Sequence, residues 1–274
     1  MKLIQISDTH FGTEQPPVVE ALLELVTEAA PDLVVMSGDI TQRARRDEFD
    51  RARAFVDRLP VQRVMVIPGN HDIPLYNLPA RLFAPYGGFS RVFGEELEPS
   101  HDTDDALIIT VRTTRRYRHV DGEVSRAQIE AVAARLRKAR DSQLRIVVTH
   151  QPVCVQRPQD EVDLLHGHKA AIAGWSAAGA DIIMGGHIHL PYVCPLHETN
   201  VRLPRKIWAV QAGTATSWRV RNEVGNSINI VHYDSGGVCS VERWDFRPAE
   251  SRFRQAVRHE LHLDESRIYK SIHE

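Results

Sequence analysis

Short apolar runs alternate with amphipathic stretches through the first part of the chain. Residues 2–7 and 63–67 read as strands, and residues 33–37 are a continuous apolar run of strand length. Between them, residues 16–30 place Val19, Leu22, Leu23 and Val26 on one face of a helix. Residues 47–59 do the same with Phe49, Ala52, Phe55, Val56 and Leu59, and Pro60 ends that helix. Strands without alternation are buried on both faces. With helices between them, they predict parallel βαβ units and an α/β fold.

The second half repeats the theme less regularly. Strands are expected at 106–111, 145–149 and 181–184, and helices at 125–140, capped by Ser125, and 168–178. From residue 207 onward, strand-like runs at 207–212, 227–233 and 238–246 follow one another with turns such as 235–237. These predict antiparallel hairpins closing a mixed sheet. No repeat, low-complexity segment or linker interrupts residues 1–246, which are read as one domain. Residues 247–274 form a charged tail with a short helix expected at 250–259. This tail packs either on the body or on a partner subunit, which leaves a homodimer open.

Composition narrows the function classes. The chain has 274 residues, 42% hydrophobic and 26% charged, which are ordinary globular proportions. Lys and Arg total 34 against 36 Asp and Glu, so the basic footprint of a stable duplex DNA binder is missing. Three cysteines, Cys154, Cys194 and Cys239, form no CxxC pair, which argues against a disulfide framework and for a reducing cytoplasm. The start MKLIQISDTHF is too short in apolar residues for a signal peptide, and no run approaches the roughly 18 apolar residues of a membrane span.

Fourteen histidines are unusual, and several fall in a pattern. Five polar clusters each follow a predicted strand: Asp8-Thr9-His10, Gly38-Asp39, Gly69-Asn70-His71-Asp72, Thr149-His150 and Gly186-His187-Ile188-His189. Any one would pass as a turn or a cap. Together they supply carboxylate, amide and imidazole groups to the carboxyl edge of a parallel sheet, where sites form. A nitrogen and oxygen donor set without thiolates fits a catalytic centre of manganese, iron or zinc better than a structural zinc knot. Seven ligands exceed the need of one ion with an open position. They suit two ions about 3.5–4 Å apart sharing a carboxylate, a pair that lowers the pKa of bound water and clamps a phosphoryl group.

In this order and spacing, the DxH, GD, GNHD, strand-end His and GHxH motifs resemble the calcineurin-like metallophosphoesterase superfamily over residues 8–189. The resemblance implies a four-layer αββα sandwich. It implies a first metal held by Asp8, His10, Asp39 and His189, and a second by Asp39, Asn70, His150 and His187, with Asp39 bridging. His71 would be the catalytic histidine, assisting the leaving group during in-line attack by hydroxide. Asp72 would either orient that imidazole, joining the catalytic set, or only close the turn. Thr149 stands where the family usually has Gly or His. The GD-[IL]-T start is most similar to the class III cyclic nucleotide phosphodiesterase branch.

The expected activity is therefore hydrolysis of a small phosphodiester, of nucleotide type and cyclic in the leading reading. Glycerophosphodiesters, nucleotide-sugar lipids and phosphomonoesters are the enzyme alternatives, and an inactive scaffold is the non-enzyme one. Around the site, Arg43 lies four residues past Asp39 and is expected to contact a phosphate or ribose, while Arg45 and Arg46 are read as surface. Tyr76 and Trp218 are read as site walls or plain packing. Residues 112–116 and His119 are read as solvated loop, and His166 and His168 as a helix-start loop.

Overall fold

The computed structural model describes residues 1–199, 203–221, 224–234 and 237–264. Twelve strands in two six-stranded mixed sheets carry it. The first sheet is built around β1 (Lys2–Ile6), β2 (Leu33–Met36) and β3 (Val64–Val66), which run parallel. On the other side of β1 it continues antiparallel through β10 (Ser227–Tyr233), β11 (Cys239–Arg247) and β12 (Arg252–Leu261). The second sheet runs β4 (Ser100–Asp102), β5 (Ala106–Thr110), β6 (Leu144–Val148), β7 (Ile182–Gly185), β9 (Trp208–Gln211), β8 (Tyr192–Pro195).

Side-chain parity explains the continuous apolar runs. Leu33 and Val35 face the space between the sheets, with Ile146, Val148, Ile182 and Met184 from the other sheet. Their neighbours Val34 and Met36 face outward, onto α1 (Pro16–Ala29) and α2 (Arg46–Arg58). On the opposite outer face, Val147 and Ile183 pack with α5 (Arg126–Leu136) and α6 (His168–Ala178), around the fully buried Trp175. Each central strand thus buries both faces, and the order is helix, sheet, sheet, helix: the four-layer αββα sandwich.

Most predicted elements lie within a residue or two of their places, but helix 125–140 ends at Leu136, strands β4 and β8 were not predicted, and others differ more. The 207–212 run forms β9, which pairs parallel with β7 instead of opening a hairpin. The expected helix at 250–259 is strand β12, so the first part of the charged tail is the edge of the first sheet. Two short helices, α3 (Leu78–Phe83) and α4 (Gly87–Phe93), occupy a stretch with no clear periodicity. Residues 235 and 236 of the expected 235–237 turn, and tail residues 265–274, lie outside the described residues. Among the described residues, no helix is long and apolar enough to cross a membrane.

Candidate dinuclear metal centre

All five polar clusters end strands that lie side by side: β1, β2 and β3 in one sheet, β6 and β7 in the other. The loops are stitched to one another. Asp8 N–H donates to the Gly38 carbonyl (3.1 Å), His10 N–H to the Asp39 carbonyl (3.0 Å), and Gly186 N–H to the His150 carbonyl (2.8 Å). His187 N–H reaches across the sheets to the Asp8 carboxylate (3.0 Å). Two motif glycines make this approach feasible. A Cβ on Gly38 would collide with the His150 ring, and one on Gly69 with the Asp39 backbone nitrogen. Eight non-glycine residues among those described have positive φ, and five are proposed ligands: Asp8, His10, Asp39, His187 and His189. Left-handed backbone costs roughly 1–2 kcal/mol for a non-glycine residue, so the fold spends conformational energy to aim these side chains.

Two ligand clusters share Asp39. Asp8, His10, Asp39 and His189 offer one ligand atom each within 4.8 Å of one another, and so do Asp39, His150 and His187. Asn70 joins the second through Oδ1, 3.1 Å from His150 Nε2. The remaining ring nitrogens are committed elsewhere. His150 Nδ1 donates to the Ser37 carbonyl (2.9 Å) and His189 Nδ1 to the Arg219 carbonyl (2.6 Å), so both rings turn Nε2 toward the clusters. His187 is turned the other way. Its Nε2 lies 3.6 Å from the Asp163 carboxylate, while its Nδ1 is buried without a hydrogen-bond partner. An orphaned buried nitrogen, and ring nitrogens drawn together with His10 Nε2 3.0 Å from His189 Nε2, fit a metal-ligand shell. The donor set fits two cations.

Electrostatics point the same way. Burial pushes the Asp8 carboxyl up, but its contact with His189 and the charge of His150 outweigh this and hold it down at about 2. Burial opposes Asp39 ionising too, yet His150, His71 and His10 around it keep it well below the usual carboxylate range. Burial keeps His10 neutral. For His150 burial acts downward, and the Asp39 carboxylate overrides it and raises the imidazole to about 9. The His150 proton thus supplies positive charge beside Asp39, and a bound metal would displace it.

His71 lies in neither cluster. Its N–H donates to Asp39 Oδ1 (2.8 Å), its ring Nδ1 donates to the Gln42 carbonyl (2.7 Å), and its ring stacks edge-on to His10 at 4.8 Å. His71 Nε2 accepts from Arg219 Nη1 (3.2 Å), which also donates to Gln42 Oε1 (3.1 Å). Asp72 closes the turn and does not orient His71. Its carboxylate accepts from the N–H groups of Ile40, Gly69 and Thr41 and from the Thr41 hydroxyl, at 2.8–3.0 Å. Burial and the Asp39 charge push Asp72 up to about 6 against those hydrogen bonds. These contacts fit the turn-closing alternative for Asp72.

A cavity of about 310 Å³ opens over the centre, lined by Asp39, Asn70, His71, His187, His189 and Arg219 among others. Arg43 does not line it. The Arg43 guanidinium sits over the Tyr76 ring, 5.9 Å from its centroid, in an adjoining pocket. Four participants carried no local signal in the sequence: Asp163 in a 3-10 turn, Arg219 and Arg221 after β9, and His119 in a loop read as solvated. Arg221 is locked by a paired contact with buried Asp160 (2.8 and 3.1 Å). Trp218 is exposed and is not core packing. Thr149, the departure from the usual motif, is buried, and its hydroxyl donates to the Gln151 carbonyl (2.9 Å).

Comparisons with known proteins agree with this architecture. A protein named as a probable cyclic nucleotide phosphodiesterase of Synechococcus sp. is 23% identical over 205 residues, covering 70% of this chain and 75% of that one. Purple acid phosphatase PPD1 of yellow lupin superposes with a TM-score of 0.74 at 14% identity over 98% of this chain. The chain spans about half of the lupin protein's length, 55%. A dimetal phosphatase of Danio rerio superposes at 0.63 with 13% identity, covering 96% of this chain and 99% of that one. At such identities the structural likeness speaks to fold. A family model described as calcineurin-like phosphoesterase matches residues 1–191, the span that contains all five ligand-bearing strand ends, and the chain belongs to that family.

Proposed function

We propose that the chain is a dinuclear metal-dependent phosphodiesterase acting on small diesters of nucleotide type. One observation carries the reading: two ligand clusters share Asp39 under one cavity, with a non-ligand histidine beside them. Asp8, His10, Asp39 and His189 hold one cation, and Asp39, Asn70, His150 and His187 the other, with manganese, iron and zinc all suited to the donors. The bound pair supplies Lewis acidity and a nucleophile at neutral pH.

The chain's own residues supply the rest. His71 Nδ1 is pinned to the Gln42 carbonyl, which leaves Nε2, the acceptor from Arg219 in the structure, as the nitrogen that first takes a proton from solvent and then gives it up. As the phosphorus–oxygen bond to the leaving group breaks, its electron pair goes to oxygen, and that oxygen takes the Nε2 proton. A water oxygen forms the new bond to phosphorus, and its proton goes to solvent. The Arg219 guanidinium, anchored through Nη1 to His71 and Gln42, supplies its remaining donors to a phosphoryl oxygen. Asp163 positions His187 from behind. The Synechococcus similarity supports a nucleotide diester.

The test is a substrate profile of metal-reconstituted protein against 3′,5′- and 2′,3′-cyclic nucleotides, glycerophosphodiesters and monoesters. Cyclic nucleotides are expected to give the highest kcat/KM. A preference for monoesters overturns the reading.

A further inference from the structure

Beside the cavity over the metal centre lies a second, smaller one of about 130 Å³. Its far side is formed by Arg43, Ile73, Leu75 and Tyr76, and His71 and His119 line both spaces. The two imidazoles stand 6.3 Å apart, so they form the partition between the cavities. The pocket's chemistry differs from that of its neighbour. Ile73 and Leu75 are apolar. Tyr76 is 76% exposed, so its ring is not held by the core. The Arg43 guanidinium lies over that ring and has no carboxylate partner among the described residues. At the partition, His119 Nδ1 is buried without a hydrogen-bond partner.

Resting on the phosphodiesterase reading above, we propose that this pocket is the leaving-group subsite and that it selects a leaving group carrying a flat six-membered ring. The argument is positional. The histidine that gives its proton to the departing oxygen is itself a wall of this pocket, so whatever that oxygen is attached to is directed here. The volume sets the size: an apolar cavity of about 150 Å³ accepts benzene, so about 130 Å³ takes one ring, and a long acyl chain needs several times that space. The wall sets the shape. A tyrosine face flanked by a guanidinium and two branched aliphatics favours a planar π-system over a puckered ring of equal bulk. His119 meets a polar atom at the ring's near end. An aryl ester presents such a ring directly, and a nucleoside presents it one ribose away, so that its pyrimidine base alone enters the pocket.

The test compares phenylphosphonate with cyclohexylphosphonate, matched in bulk but not in flatness, by calorimetry on the metal-loaded protein. Phenylphosphonate is expected to bind more tightly by about three- to tenfold. Tyr76→Ala removes the advantage, and Phe83→Ala, equally exposed but outside both cavities, leaves it unchanged. In kinetics, Tyr76→Ala raises KM for bis(p-nitrophenyl) phosphate by a similar factor with kcat nearly constant. If pyrimidine cyclic nucleotides show the same Tyr76 dependence and purine ones do not, the ring is a nucleobase. If only aryl compounds show it, the ring is an aryl group. Turnover of the aryl diester without a phenyl advantage, or with an advantage that survives Tyr76→Ala, overturns the subsite alone. A Tyr76-dependent advantage without turnover of any diester overturns the phosphodiesterase reading instead.

Discussion

A histidine proposed to move a proton needs one nitrogen pinned and the other at the reaction, and His71 has this division, with Nδ1 on the Gln42 carbonyl and Nε2 beside Arg219 at the cavity. His71→Ala is expected to keep two metal ions per chain and to lose about 10²- to 10⁴-fold in kcat. The loss should shrink for substrates with good leaving groups, because these need less protonation; metal analysis and kinetics on the same sample check both halves. Asp39 has the opposite character, since both clusters depend on it. Asp39→Ala should release both ions and His150→Ala chiefly one, a difference read by elemental analysis after dialysis. Asp163→Asn should weaken metal binding by about 10- to 100-fold while leaving the ligands intact, as loss of a residue that orients a ligand does. At this scale the ligands were legible because each sits in a motif next to its own strand. Asp163, Arg219 and His119 were not, because they reach the centre from loops whose local sequence says nothing about where they end. Asp72 shows the reverse: it adjoins the proposed proton carrier in sequence, but its carboxylate accepts from Gly69 in its own turn and from three donors of the loop after β2.

Strand β12 shows how an element is misread. Phe253, Val257 and Leu261 recur every four residues, a spacing that suits the helical period and the strand period equally. Strand alternation is further disguised by a bulge, because pairing with β11 passes from Val257 to Gln255 and leaves Ala256 unopposed. The extra residue switches faces. Phe253 packs on the helix side beside Phe246, with ring centroids 5.6 Å apart, whereas Leu261 faces the space between the sheets. Only pairing across the sheet resolves the ambiguity, and pairing is not local information. Phe253→Ala is expected to cost about 3–5 kcal/mol in urea denaturation, the usual loss for a buried phenylalanine. Arg254→Ala, on the exposed side, should stay within about 0.5 kcal/mol. The helices and central strands were legible for the converse reason: their patterns fit one period, or were too continuous for anything but a doubly buried strand.

Across the whole molecule, protons and metals compete for one cluster of charge. In the metal-free chain His150 is raised to about 9, above its ordinary 6.5, so its contribution to stability is complete below pH 6.5 and disappears as pH rises through 9. The melting temperature of metal-free protein should therefore fall by several degrees between pH 6.5 and 9. Metal affinity should rise over the same interval, by up to about tenfold per pH unit for each proton displaced. Calorimetric titrations in buffers of different ionisation enthalpy count those protons directly, and a pH-independent affinity would show that His150 is not a ligand. The left-handed backbone at Asp8, His10, Asp39, His187 and His189 has a consequence for anyone wishing to move this centre. Copying seven side chains onto another parallel sheet would carry over the donor list without the aim, because five of the side chains leave the chain from a conformation that ordinary strand ends do not adopt. A transplant must bring the turns with their glycines, and so the smallest portable unit is five interlocked loops on two facing sheets.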